Sequence, residues 1–326
     1  MIKFSFIIPV KTINDYIREA VPKILEINRD DYEIIIYPDE ADSVFSALKT
    51  RQIATGHVGP AAKRSLAIND ALGEILVFID DDAYPAGDFL EILEFDFRDE
   101  EVKAVGGPAL TPVNDSFWQK VSGAVFLSPL AGGNPERYMP RGIKRKVVDW
   151  PSVNFSIRKN VFSELNGFAS EFWPGEDTKL CLDLIKKYPG GLIYNPALIA
   201  YHHRRAGLAK HLKQIGGYGL HRGFFAKKYP ETSCKLKYFI PSLFLLFVLI
   251  GATASFFSRI ALNLYLLGWI IYLLALIKAM VDISRYEKNF LIALNAVYYI
   301  FLTHLVYGYN FLKGFIFTKN LKSKLR

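Results

Sequence analysis

The sequence predicts an α/β domain with a mostly parallel sheet, followed by C-terminal transmembrane helices. Three observations predict it. Short continuous apolar runs alternate with helical patterns over roughly the first 200 residues, the way strands buried on both faces of a parallel sheet read. Two of those runs end directly in aspartates, at Asp39 and at the Asp80–Asp82 triplet. Charge is then absent from residues 238–258, 260–277 and 289–312, stretches of 21, 18 and 24 residues. Each is close to the roughly 20 residues that cross a bilayer.

Taken in order, "FSFIIPV" (4–10) reads as the first strand, and a helical pattern follows from about Tyr16 to Asn28. The apolar N-terminus is only about seven residues long and no small-residue cleavage site follows, so a strand is expected there and not a signal peptide. "YEIIIYP" (32–38) is the second strand. "GPAAKRSLAINDALGE" (59–74) reads as a helix with Pro60 in its first turn and Gly73 at its stop. Ala61, Ser65, Ile68 and Leu72 are expected on one face of it, with Lys63 and Arg64 elsewhere. "EILVFID" (74–80) is the third strand. Strand, helix, strand, helix, strand is the order of an α/β domain, in which ligands sit at the carboxyl ends of strands.

Past residue 100 the pattern loosens. Residues 103–112 read as a strand running into a turn, 131–145 as a mobile Gly- and Pro-rich loop, and 153–168 as a strand, a short helix and a Gly stop. Residues 175–191 form an amphipathic helix with Leu180, Leu184 and Tyr188 on one side. The segment 206–230 mixes basic and aromatic residues, which suits a helix in the membrane surface. The expected domains are therefore 1–205, an interfacial segment 206–237, and a membrane part 238–326.

Composition narrows the partners. The net charge of +8 is local: between His202 and Lys237 there are nine Lys/Arg, four of the six histidines and one acid, Glu231. Anionic lipid head groups attract such a block beside an apolar span. No nucleic-acid motif accompanies it, and no nucleic-acid partner is expected. The two cysteines form neither a disulfide framework nor a zinc site. Lys235 and Lys237 place the part before the first span on the cytoplasmic side. Three full crossings would send the basic tail (Lys319, Lys322, Lys324, Arg326) to the opposite side, against that same tendency. The last stretch, with Asn295, Thr303, His304 and several tyrosines, is the one expected to be re-entrant or interfacial.

Each chemical candidate has an ordinary alternative. Neighbouring carboxylates on a turn can hold a hard divalent cation together with diphosphate oxygens, but "DDD" is also a solvated turn or helix cap. Asp39 can accept from a nucleobase N–H, and Lys63 and Arg64 can neutralise phosphate; each can equally be a cap or a surface charge. Asp177 opens the amphipathic helix, whose dipole favours a charged carboxylate there, as it would for any acidic helix start. In "YHHRR" (201–205), His202 or His203 can complete a metal shell and Arg204 can grip phosphate, or the run simply begins the basic block.

The order of these pieces carries a resemblance. A strand ending at Pro9 and Val10, a strand ending at Asp39, "GPAAKR", strand–"DDD", "GGP", "NFSIRKNVF", "NGF", "GED" and "HHRR" resemble the family 2 glycosyltransferases over residues 3–205. The resemblance implies a GT-A fold, an inverting mechanism, and a nucleotide-sugar donor of UDP, GDP or dTDP type. It implies Mg²⁺ or Mn²⁺ on Asp82, with Asp80 on metal or ribose and His202 completing the shell. Asp177 is implied as general base beside Glu176. Pro9, Val10, Asp39, Lys63, Arg64, Asp81 and Arg204 are implied at the substrate. Pro38 replaces an aspartate of the family before Asp39. The Gln-x-x-Arg-Trp motif of processive members is absent: Gln214 is followed by Gly217 and Tyr218. Addition of one or a few sugars to a lipid-linked glycan is the expectation. Transfer to polyprenyl phosphate is the alternative, and processive synthesis a weaker one.

Overall fold

The computed structural model describes residues 1–321; Lys322, Lys324 and Arg326 of the basic tail lie outside the described residues. The chain divides into two compact units, one of Met1–Pro112 with Met139–His203, the other of Val113–Tyr138 with Arg204–Leu321. Residues 113–138, expected in the first domain, thus pack with the C-terminal unit.

In the first unit the strands are β1 (Phe4–Pro9), β2 (Tyr32–Tyr37), β3 (Thr50–Gln52), β4 (Ile75–Ile79), β5 (Ala83–Pro85), β6 (Ala104–Gly106), β7 (Ala109–Leu110), β8 (Arg145–Lys146), β9 (Asn154–Arg158), β10 (Leu192–Tyr194) and β11 (Ala200–His202). Eight of them form one sheet in the order β3-β2-β1-β4-β9-β6-β10-β8, and β5-β11-β7 form a second. The pairs β3/β2, β2/β1, β1/β4 and β6/β10 are parallel, while β9 runs antiparallel to both β4 and β6. Every residue of β1, β2 and β4 is buried, as their unbroken apolar sequences require.

Alternate residues serve opposite faces of this sheet. Phe6, Ile8, Ile34, Ile36, Val77 and Ile79 pack on one side with α1 (Asp15–Leu25). Ile7, Ile35, Leu76, Phe78, Phe155 and Ile157 pack on the other with residues of helices introduced next. These are α2 (Pro60–Ser65), α3 (Ala67–Asp70), α7 (Lys159–Glu164) and α8 (Glu176–Lys187), while α4 (Phe89–Asp96) joins the first side.

The helix expected across 59–74 is two short ones, and Leu72 is 69% exposed rather than on an inner face. Ala71 turns extended after α3, and the Leu72 and Gly73 amides donate to Glu33 Oε1 (2.6 Å) and Ser5 Oγ (2.9 Å). A Cβ at Gly73 would sit 2.7 Å from the Ser5 backbone nitrogen, so only glycine lets the chain pass this close to β1.

The second unit contains α5 (Phe117–Ala124), α6 (Pro129–Gly132), α9 (Leu208–Lys228), α10 (Pro230–Ser233), α11 (Leu236–Ser255), α12 (Arg259–Ser284) and α13 (Phe290–Leu312), the last continued by a π-helical turn over Lys313–Phe317. Val121, Ala124 and Val125 pack with Ala279, Ile283, Ile292, Ala293 and Ala296, which explains why 113–138 joins this unit. Three helices, Leu236–Ser255, Arg259–Ser284 and Phe290–Phe317, are long and apolar enough to cross a membrane.

Phe78 is fully buried with Phe162 and Phe168 each 5.1 Å away between ring centroids. Phe78→Ala is expected to destabilise the first unit by about 3–5 kcal/mol through lost transfer energy and the cavity left. Thermal unfolding of the detergent-solubilised protein measures it.

Candidate active site

Because β2, β1 and β4 are adjacent and parallel, their carboxyl ends bring Asp39, Val10 and the Asp80–Asp82 triplet to one edge of the sheet. Asp39 accepts from Lys63 Nζ, which also donates to the Val10 carbonyl at 2.7 Å. His57 Nδ1 adds a third contact to this group, 3.1 Å from Asp39 Oδ2. The Lys63 ammonium, joined by His57 and opposed by partial burial, holds the Asp39 carboxyl below the usual carboxylate range.

Lys63 and Arg64 are both 3% exposed, so the cations of α2 point inward and not to a free helix surface. Arg64 is the hub of the site: one of its terminal nitrogens donates to Glu176 Oε1 at 3.0 Å and the other to Asp80 Oδ1. Its guanidinium lies over the Phe168 ring, 5.6 Å from the centroid, and its Nε is buried without a hydrogen-bond partner. Burial opposes the charge of Arg64, but Asp80, Glu176 and Asp177 outweigh it and raise its pKa above the ordinary value. Glu176 answers differently. Its burial, reinforced by Asp177, pushes its carboxyl well above the usual range in spite of Arg64. One guanidinium shared among several carboxylates leaves negative charge uncompensated.

Asp80, Asp82 and His202 bring one ligand atom each within 4.8 Å of one another. The small sheet accounts for this: β11 pairs antiparallel with β5 and sets His202 opposite Ala83, so His202 Nε2 lies 3.1 Å from Asp82 Oδ1. The His203 amide donates to the Asp82 carbonyl at 2.9 Å, fixing the other flank. Two carboxylates and an imidazole in an electronegative, largely buried setting fit a divalent cation that takes oxygen and nitrogen ligands. Asp81 faces elsewhere and accepts from Asn14 Nδ2 at 2.7 Å.

Asp177 stands in the first turn of α8 beside Glu176, where its Oδ1 accepts from the Thr178 amide at 2.7 Å. Pro9 closes β1 opposite Tyr37. Arg204 belongs to the second unit, where its amide donates to Asp115 Oδ2 (3.3 Å) and its guanidinium lies 5.0 Å from the Tyr138 centroid.

Three contributors escaped the sequence reading. His57 lies in a loop and Asn14 caps α1, its Oδ1 accepting from the Ile17 amide at 2.9 Å, and neither position carries a local pattern pointing to a site. Asn154 is fully buried on β9 opposite Ile79, and its Nδ2 donates to the carbonyls of Pro108 (2.9 Å) and Leu198 (2.8 Å). A Cβ at Gly107 would sit 1.8 Å from the Leu198 oxygen, so the "GGP" turn is held against the approach to β11. Polar residues alternate with apolar ones along β9 (Asn154, Ser156, Arg158), so nothing local singles out Asn154.

Residues 5–165 match the model of the family described as glycosyl transferase family 2. Residues 5–165 are a domain of that family. A curated relative of this glycosyltransferase in Methanococcus voltae, dolichyl N-acetyl-alpha-D-glucosaminyl phosphate 3-beta-D-2,3-diacetamido-2,3-dideoxy-beta-D-glucuronosyltransferase, is 23% identical over 96% of this chain and 97% of its own length. The pre-mycofactocin glycosyltransferase of Mycobacterium tuberculosis is 25% identical over 55% of this chain and 37% of its own. Among solved structures, the mannosyltransferase PcManGT from Pyrobaculum calidifontis, in complex with GDP-Man and Mn²⁺, shares the fold with a TM-score of 0.62. It is 17% identical, and the match covers 96% of this chain and 87% of that one.

Two outcomes follow from this geometry. Arg64→Met strands the buried Glu176 and Asp80 contacts, and the loss of one partner of a buried pair is expected to cost about 3–5 kcal/mol in thermal or denaturant unfolding. In Mn²⁺ titrations followed by electron paramagnetic resonance, Asp82→Asn and His202→Ala are each expected to weaken binding by at least the roughly 10-fold that losing a supporting partner costs. Asp81→Asn is expected to leave Mn²⁺ binding unchanged.

Proposed function

We propose that this glycosyltransferase moves a sugar from a nucleotide-sugar donor to a hydroxyl of a lipid-linked glycan, with inversion, and that it depends on Mg²⁺ or Mn²⁺. The observation that carries the proposal is the cluster of Asp80, Asp82 and His202 at the strand edge, tied through Arg64 to Glu176 and so to Asp177. Asp80, Asp82 and His202 would hold the ion, and the imidazole in that set favours Mn²⁺ over the oxygen-seeking Mg²⁺. When bound, the ion supplies Lewis-acid and electrostatic stabilisation of the departing diphosphate.

The protein's own groups do the rest. Asp39, oriented by Lys63 and His57, faces the nucleobase side of the donor, with Pro9 and Val10 as the adjoining wall. Asp177 takes the proton of the acceptor hydroxyl as its oxygen forms the bond to the anomeric carbon. The bond from that carbon to the diphosphate oxygen breaks on the opposite face, so one displacement inverts the centre. Arg64 positions this machinery from beneath, because it holds Asp80 on one side and Glu176 on the other.

The acceptor reading is supported by the Methanococcus voltae relative, which is named for transfer to a dolichyl-phosphate-linked sugar and matches this chain through its membrane helices as well. The nucleotide-sugar reading is supported by the GDP-Man and Mn²⁺ named for the mannosyltransferase of the same fold. Lys235 and Lys237, just before and inside the start of α11, favour a cytoplasmic catalytic side. On α9, Gln214 Nε2 donates to Tyr218 at 3.0 Å, in the stretch that lacks the arginine and tryptophan of processive members.

Asp177→Asn is expected to lower kcat by about 10²–10⁴-fold, the usual contribution of a positioned general base, with donor binding retained. The measurement is nucleoside diphosphate release from UDP-, GDP- and dTDP-sugars with membrane extract as acceptor source. Wild-type turnover in Asp177→Asn would instead mark an already ionised acceptor, polyprenyl phosphate. No release with any donor would overturn the transfer reading.

A further inference from the structure

Hydropathy makes α11, α12 and α13 equal candidates for crossing a membrane, but their surroundings separate them. The first two form an antiparallel hairpin. Phe244 packs on Tyr272 (4.1 Å) and Trp269 (6.0 Å), and Phe247 on Tyr265 (5.0 Å) and Trp269 (6.0 Å). The start of α11 and the end of α12 are therefore at one edge of the hairpin, and the turn at Phe256–Ser258 is at the other.

Both ends of α13 lie at the first edge. Its N-terminal half packs Ile292, Ala293 and Ala296 in one cluster with Ala279 and Ile283 at the end of α12. Its C-terminal part places Phe311 4.7 Å from Phe239, and Ser242 Oγ donates to the Gly308 carbonyl at 3.0 Å, both at the start of α11. Between these, Phe301 and His304 meet Phe244 and Tyr272. Among the described residues no hydrogen bond or ring contact joins α13 to residues 245–268. A helix that connects the same-side ends of a hairpin runs across it, not along it.

Exposure agrees. Buried residues make up 39% of the apolar window of α13, against 6% and 0% for α11 and α12. On α13, Phe290, Leu294, Tyr298, Tyr309 and Ile316 are exposed at spacings that keep them on one stripe. On α12, Leu266, Leu267, Ile270, Ile271, Leu273 and Leu274 are exposed on one broad apolar face, opposite the Tyr265, Trp269 and Tyr272 face that meets α11.

The neighbour of α13 decides the depth. Helix α9 runs beside it in the same direction: His211 Nε2 is 3.0 Å from Thr303 Oγ1, Gly219 lies against Tyr307, Gly223 against Phe311, and Lys227 Nζ donates to the Thr318 carbonyl at 2.8 Å. Were α13 a crossing, it would carry Lys210, Lys213, Arg222, Lys227 and Lys228 of α9 toward the hydrocarbon, where each charge is strongly disfavoured.

We propose that α13 does not cross the membrane. It lies with α9 in the headgroup layer, with its apolar stripe on the acyl boundary and the cations of α9 among anionic lipid headgroups. The anchor is then the α11–α12 hairpin alone, and residues 318–321 stay on the side of Cys234. This arrangement gathers Lys319 with the α9 cations and leaves Arg259 as the one Lys/Arg flanking the far turn, in accord with the positive-inside tendency.

The two native cysteines make the test direct, because Cys181 is buried and Cys234 exposed. The full-length protein in sealed membrane vesicles of each orientation is treated with a membrane-impermeant maleimide, with native Cys234 as the reference. Phe257→Cys and Lys319→Cys, both exposed positions, are then read in a Cys234→Ser background. The expected result is labelling of Lys319→Cys in the vesicle orientation that labels Cys234, and of Phe257→Cys in the opposite one. Labelling of Lys319→Cys together with Phe257→Cys would overturn the proposal. Asn320→Cys provides the same readout should Lys319→Cys accumulate poorly.

Discussion

The site depends on one buried cation. Arg64 is enclosed by protein, yet it meets the carboxylates of Asp80 and Glu176 and feels the charge of Asp177. A guanidinium suits this position because its planar fork donates in two directions at once, which an ammonium cannot do with fixed geometry. The pair of contacts links the end of β4 to the start of α8, two elements almost a hundred residues apart in sequence. Phe168 closes the arrangement by lying under the guanidinium, and it also packs on Phe78 in the core. The charges of the site are thus anchored in the same apolar cluster that holds the sheet.

That constraint also leaves an imbalance. Arg64 is the partner of Asp80 and Glu176, while Lys63 is engaged by Asp39 and the Val10 carbonyl. The raised carboxyl of Glu176 reflects burial among like charges that one guanidinium does not neutralise. A dication at Asp80, Asp82 and His202 would offset this charge and bring affinity for a diphosphate with it. In the proposed reading the inward cations of α2 hold the carboxylates in place, and an ion held by Asp80, Asp82 and His202 would supply positive charge for the diphosphate.

Much of this was legible in the sequence because strands buried on both faces leave unbroken apolar runs, and their ends mark the functional edge. Asp39, Asp80 and Asp82 were singled out by their place at strand ends, which the structure brings to one sheet edge, and Asp177 by its place at a helix start. The direction of the α2 side chains was not legible, since helical periodicity sorts residues by polarity and assigns lysine and arginine to water. Here burial with carboxylate partners from β2, β4 and α8 reverses that assignment. His202 was visible only as one of two adjacent histidines. Its place next to Asp82 follows from the β5–β11 pairing, a three-residue ladder too short to leave a pattern. His57 acts through a loop contact and Asn14 from the cap of α1, positions at which hydrophobic periodicity carries no signal.

The membrane part shows the same limit from the other side. Apolar length identifies α11, α12 and α13 alike, because hydropathy sums composition and is blind to which neighbour covers a residue. A span in lipid needs no partner around most of its circumference, whereas an in-plane helix has one face against protein and one against acyl chains. The hint in the sequence was polarity: Asn295, Thr303 and His304 interrupt the last stretch, and two of them find hydrogen bonds inside the unit, to His211 and to Tyr272 with the Leu130 carbonyl. Those bonds require α9 and α6 to lie alongside α13. In the proposed arrangement the charges of α9 lie at the depth of the headgroups, and the polar residues of α13 that bond to α9 and α6 lie there with them.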